Sequence, residues 1–304
     1  MEYKIIKSNK PIVFLDTFFL IDIFKKKKED HTKKLFEILK SKINENKIIC
    51  PLGEQTTEIF DKERSDIIHN FNLIIAKGSQ FRTVSDIYDK QFYQAIDNYI
   101  EKKKIYNINY DDSIYYYPKN NAVISSVMNT KSVINFFKNS KNNKTEIINN
   151  KLKKYKNNFD NIPFEEQLNA EYLSLHDKTS EYFNKGLNIG VLKNYIHYLN
   201  YWLDKNKSAN AYLSFLKSEF YKKIPHVYIN ANLYASIVSS KNKLQSGDIN
   251  DIKYISAYLP YCNYFLTDKA QHNRINRLEI DKIFNTEVYC LKNIDKFINK
   301  IEVL

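Results

Sequence analysis

The sequence predicts an α/β fold: a parallel sheet flanked by helices and interrupted by a large, mainly α-helical insertion. Three observations carry that expectation. Residues 11–16 (PIVFLD) and 264–268 (YFLTD) are short apolar runs that each end on a carboxylate, the pattern of strands buried on both faces. Helix-like segments follow both runs, so strand and helix alternate at the two ends of the chain. The 304 residues include only 5 Gly and 6 Pro, too few punctuators for the tight turns of an all-β sandwich or barrel.

The elements follow in order. The first ten residues are polar and basic and pass into the apolar run that contains Asp16, which is not the layout of a secretory signal. After the strand at 11–16 comes a helix over 17–24, a basic stretch at 25–28 and an amphipathic helix over 32–43. A second strand at 47–50 stops at Pro51, and helical pattern resumes near Gly53, carrying Glu54, Glu58 and Asp61. The middle of the chain has helical periodicity at 87–100, 122–137, 164–175, 191–203 and 209–220, with a Lys/Asn-rich stretch at 138–158 that reads as a solvated helix or loop. Tyr195, Tyr198, Tyr201 and Trp202 form an aromatic stripe that suits either a core or a base-stacking surface. The α/β pattern then returns with a helix at 248–259, a strand at 264–267, a helix at 269–280, a strand at 287–291 and a closing helix at 293–301. The expected organisation is a discontinuous α/β core, 1–62 and 236–304, around a helical insertion at 63–235.

Composition narrows the function classes. Hydrophobic residues make up 43% of the chain, enough for a packed core, yet no apolar run reaches the roughly 18 residues needed to span a bilayer. The expectation is a cytoplasmic protein with no membrane contact. Cys50, Cys262 and Cys290 lack metal-ligand spacing and sit in apolar surroundings, as buried free thiols do in a reducing compartment. The formal charge of +12 would attract a polyanion such as RNA or DNA. The abundance of Lys, Asn, Ile and Tyr throughout gives the same charge a second source, in biased composition.

The acids supply the chemistry. In a parallel sheet, sites gather beyond the carboxyl ends of the strands, which would bring Asp16 and Asp268 to one edge. Glu58 lies in the helix after the second strand and Asp251 in the helix before the strand that ends on Asp268, so all four can converge there. Clustered carboxylates are costly unless cations share the site, and hard ions such as Mg²⁺ or Mn²⁺ suit oxygen ligands. The six histidines are scattered, with no pair at i, i+4 spacing. Each acid alone also has a structural reading: Asp248 and Asp251 could cap or charge a helix start, and Glu54 and Glu58, one turn apart, are both candidates for the fourth ligand.

With these residues assembled, the chain resembles the PIN-like nucleases. Val13-Phe-Leu-Asp16-Thr17 resembles their first motif, and Ile49-Cys-Pro51 with Glu58 beyond it resembles the second. The third is the most specific: Gly247-Asp248-Ile-Asn-Asp251, then Leu259-Pro-Tyr-Cys262-Asn263-Tyr-Phe-Leu-Thr267-Asp268. The resemblance covers residues 10–62 and 236–304. It implies Asp16, Glu58, Asp251 and Asp268 as metal ligands for Mg²⁺ or Mn²⁺, with Thr17 and Thr267 as supporting hydroxyls. It further implies a single-strand endoribonuclease, RNA being favoured over DNA, that could serve a bacterial stress or antiviral defence role under a regulatory protein partner. The chain departs from the pattern at Asn263, where an acid is frequent, and in the spacing of the glutamate, which keeps Glu54 in play. The long insertion also departs from the small members. Its Lys151, Lys153, Lys154 and Lys156 are expected to guide a nucleic-acid backbone. Two other readings remain: a PIN-like binding module without catalysis, and a DNA structure-specific nuclease.

Overall fold

The computed structural model describes residues 1–24, 30–56, 59, 64–115, 162–185, 195–205, 207–240 and 247–304. Glu58, Lys151, Lys153, Lys154 and Lys156, and the helix expected at 122–137, lie outside these residues. The described chain is mixed α/β, mostly helical, with short strands: β1 (Glu2–Ile6), β2 (Val13–Leu15), β3 (Gln80–Phe81), β4 (Ile105–Asn109), β5 (Ile114–Tyr115), β6 (Tyr264–Leu266) and β7 (Glu287–Tyr289). It forms two compact units. One comprises Ile5–Val84, Asn109–Asn150 and Tyr258–Leu304; the other comprises Met1–Lys4, Ser85–Ile108 and Lys151–Ala257. These bounds differ from the expected 1–62 with 236–304: residues 64–84 lie with the sheet, and residues 247–257 lie with the helices.

The first unit is built on a parallel sheet in the order β2-β6-β7. The register pairs Leu15 with Leu266 and Leu266 with Tyr289. Parallel bridges Ile12↔Ile49 and Leu52↔Gln80 extend it on the β2 side. Across the sheet the order is therefore residues 80–81, 49–52, 12–15, 264–266 and 287–289. On one side of β2 the bridged segments run backward in sequence, and on the other β6 and β7 run forward, so the order reverses between β2 and β6.

Both faces of the sheet are covered, which is why its strands read as unbroken apolar runs and not as alternating ones. Side chains alternate across a strand. Val13, Leu15, Tyr264, Leu266 and Tyr289 join a core with Leu35, Leu39, Phe297, Ile298 and Ile301, drawn from the helices Asp30–Asn44 and Ile294–Glu302. On the other face Phe14 stacks on Phe265 at 4.4 Å between ring centroids, and Phe81 stacks on Tyr258 at 4.5 Å. Burying such rings contributes about 2 kcal/mol apiece before entropy is counted.

The second unit is helical, with the helices Val84–Glu101, Phe164–Lys185, Ile196–Asp204, Ala209–Lys217 and Pro225–Val238 among its elements. Tyr198 and Trp202, from the aromatic stripe, are each 1% exposed. Tyr198 stacks on Phe92 at 3.9 Å, and the Trp202 indole donates to Ser208 O at 2.9 Å. These two rings are core. The helix Pro225–Val238 buries residues on every side, so it carries no amphipathic stripe for sequence to show.

No helix among the described residues is long and apolar enough to cross a membrane. Cys50, Cys262 and Cys290 are free and buried. Burial pushes the Cys50 thiol well up and the Cys262 thiol up to about 12, so neither is a ready nucleophile.

Candidate functional site

The carboxyl edge of the sheet carries Asp16 and Asp268. Asp16 follows β2, and its N–H donates to Leu266 O at 3.0 Å, the last link of the β2–β6 ladder. Asp16 is 7% exposed. Thr17 N–H donates to Oδ1 at 2.6 Å, and the Thr267 hydroxyl donates to Oδ2 at 2.9 Å. A carboxylate placed in so apolar a run would be expensive without such donors. The strand that ends on Asp268 thus supplies, through Thr267, a donor that orients Asp16.

Asp268 is partly exposed and caps the helix Lys269–Arg277. Its Oδ1 accepts from Ala270 N at 2.6 Å and Gln271 N at 2.9 Å. The cap uses one oxygen of the two. Capping and a binding role are therefore compatible in this side chain, and the cap fixes the carboxylate's direction.

Gln55, which the sequence reading passed over, completes the wall. It is fully buried; its Nε2 donates to Leu15 O at 3.1 Å, and its backbone carbonyl accepts from the Thr17 hydroxyl at 3.0 Å. Gln55 Oε1 is buried and unpartnered among the described residues. Gly53 packs close beside it: a Cβ there would meet Gln55 Oε1 at 2.4 Å and the Tyr258 ring at 3.1 Å, so these side chains would have to shift. Nothing local distinguishes this glutamine from a surface one. Only its place beside the β2 terminus does.

The remaining candidates divide. Glu54 Oε1 accepts from Val84 N at 2.9 Å, and Glu54 N donates to the Tyr258 hydroxyl at 3.2 Å, so this side chain ties two segments of the unit together. Asn263 precedes β6 and so stands at the opposite, amino end of the strand that Asp268 follows; its Oδ1 accepts from Ile12 N at 3.0 Å. That placement makes it a sheet-registering residue, remote along the strand from the acids. Asp248, buried, and Asp251 open the helix Asp248–Tyr258 and belong to the helical unit, where Asp251 N–H donates to Gly247 O at 3.0 Å. Among the described residues, no three His, Cys, Asp or Glu side chains are grouped so as to hold a metal ion. The pairing of β2 with β6 puts Asp16 and Asp268 beyond the carboxyl ends of neighbouring strands.

What this edge can do follows from its donors. They are hard oxygens, anionic on Asp16 and Asp268 and neutral on Thr17, Thr267 and Gln55, a set that matches Mg²⁺ or Mn²⁺ better than a soft metal. The site lies at the point of strand-order reversal, where open α/β sheets leave a crevice for ligands. Comparison with protein-family models, with curated proteins and with solved structures found no match.

Proposed function

We propose that this protein is a metal-dependent endonuclease that hydrolyses phosphodiester bonds, with single-stranded RNA as its preferred substrate. The reading is supported above all by the pairing of β2 with β6, which sets Asp16 and Asp268 beyond the carboxyl ends of adjacent parallel strands, with Thr267 holding Asp16. The motif resemblance described above and the +12 charge favour a nucleic-acid substrate. Asp16 and Asp268 would hold Mg²⁺ or Mn²⁺, and Glu58, which lies outside the described residues, is the candidate for a further ligand. Glu54, whose Oε1 accepts from Val84 N–H, is the other candidate for the glutamate.

When bound, such an ion lowers the pKa of a coordinated water and neutralises charge on the scissile phosphate. The chain's own residues do the positioning. Thr17 N–H and the Thr267 hydroxyl keep both Asp16 oxygens oriented, and the helix cap directs Asp268. Gln55 locks the β2 terminus through Leu15 O. Lys151, Lys153, Lys154 and Lys156 would meet the backbone phosphates, and their replacement by Gln should flatten the salt dependence of RNA binding.

The test is cleavage of labelled RNA and DNA pools with Mg²⁺, Mn²⁺ or EDTA. Metal-dependent RNA cleavage that disappears in Asp16→Asn and Asp268→Asn supports the proposal. Binding without cleavage under every metal would favour the non-catalytic module, in which both acids serve only to close the sheet edge and cap a helix. Cleavage restricted to DNA would move the protein to the structure-specific class.

A further inference from the structure

We infer that the helical unit holds a pocket for a single nucleobase, independent of the acidic sheet edge. The cavity measures about 200 Å³, room for one flat ring system and little more. Its walls include Tyr88, Tyr195, Tyr221 and His226, with Glu171 and Lys178 also lining it. Tyr88 and His226 lie with ring centroids 4.7 Å apart. Such walls suit the faces of an aromatic heterocycle, and base–aromatic stacking tolerates any base because every base has a π-face.

The polar groups select within that class. Burial, with the charge of Lys253 second, holds the His226 imidazole down to about 4, so at neutral pH the ring is uncharged and one nitrogen carries hydrogen. His226 Nδ1 is buried without a hydrogen-bond partner among the described residues. A bare buried acceptor is tolerated better than a buried orphan N–H, so the proton belongs on Nε2. The partly exposed ring then offers an N–H donor for a ring nitrogen or carbonyl. Glu171 offers an acceptor for an exocyclic amine; Gln167 Nε2 donates to its Oε1 at 2.8 Å and fixes it. Burial raises Tyr88, Tyr195 and Tyr221, which stay protonated and add no charge against an anionic ligand. Lys178 is exposed and supplies the cation for a phosphate attached to the bound base. The ligand is a base carrying a phosphate, taken either from a free nucleotide or from a nucleic-acid strand.

Calorimetric titration of the full-length protein with AMP, GMP, CMP and UMP, and with ribose 5-phosphate and inorganic phosphate, tests this. Saturable binding of at least one mononucleotide, with none of ribose 5-phosphate or phosphate, is expected. Tyr195→Ala and Glu171→Gln should each weaken it about tenfold or more while the far-ultraviolet dichroism is unchanged. Asp16→Asn should leave it as it is, which separates this pocket from the proposed catalytic edge. A short single-stranded oligonucleotide distinguishes the sources. If it binds through Tyr195 and Glu171 while mononucleotides do not, the pocket takes a base of a strand. If mononucleotides bind and the oligonucleotide does not compete, it takes a free nucleotide. Failure of both to bind, or binding that neither variant changes, overturns the inference.

Discussion

The two ends of strand β6 are both rich in buried polar groups, and they differ in kind. At the amino end the partly buried Lys7 donates to Pro260 O at 3.1 Å, Cys262 O at 2.5 Å and the Thr286 hydroxyl at 3.1 Å. Asn263 meets Ile12 N, and Thr286 meets the carbonyls of Leu259 and Cys262 at 2.9 Å each. These side chains satisfy backbone groups where the chain enters the strand. At the carboxyl end, Asp16 and Asp268 follow neighbouring parallel strands, with the Thr267 hydroxyl donating to Asp16. The amino end is a polar closure of the fold. The carboxyl end carries the two acids, and the proposed function rests on that contrast.

The largest expected effect is at the acids. Asp16→Asn should abolish phosphodiester cleavage while leaving the melting temperature unchanged or higher, because the amide keeps the shape and relieves charge. A variant that cleaves normally at limiting metal would break the comparison. Next comes Lys7→Met, which takes the lysine donor from the Pro260 carbonyl and leaves Cys262 O with the Thr286 hydroxyl alone. A loss of about 3 kcal/mol in denaturant unfolding is expected, with specific activity of the folded fraction retained. Thr267→Val removes the hydroxyl on Asp16 Oδ2. About a 10- to 100-fold fall in activity is expected, with only about 1 kcal/mol of stability lost. If Thr267→Val instead behaved like Lys7→Met, costing stability and no activity, the carboxyl end would be a closure as well.

The smallest effect is a pH dependence at the amino end. Burial lowers Lys7 to about 8 from its ordinary 10.5, so between those values the unfolded chain binds a proton that the folded chain has released. Stability contributed at this site therefore rises as pH climbs from about 8 towards 10.5. The nearby Cys262 thiol, itself raised, stays neutral through that window. Comparison of urea midpoints for the native protein and Lys7→Met across these pH values should show the increment only in the native protein.

The parts of this picture that sequence made legible are those set by local pattern. Two apolar runs ending in Asp placed β2 and β6 and their shared edge, since a strand covered on both faces has to be apolar throughout. The closing strand and helix, now Glu287–Tyr289 and Ile294–Glu302, were legible for the same reason of period and length. Gln55, Lys7 and Asn263 were not legible in their roles. Each is an ordinary polar residue whose partners lie tens or hundreds of positions away, as in the bond from Lys7 to Thr286. The helix Pro225–Val238 escaped because burial all round erases the 3.6-residue stripe. Asp251 and Asp268 are grouped by their spacing in sequence, and the boundary of the compact units falls between them, from Ala257 to Tyr258.

The most direct test of the central claim is a Mn²⁺ titration followed by electron paramagnetic resonance. The full-length native protein, Asp16→Asn, Asp268→Asn and Asn263→Ala would be compared, the last as a control from the amino end of the same strand. Saturable Mn²⁺ binding is expected in the native protein and in Asn263→Ala, with loss in both aspartate variants. Equal binding in all four proteins, or none in the native one, would contradict a metal site at the carboxyl edge.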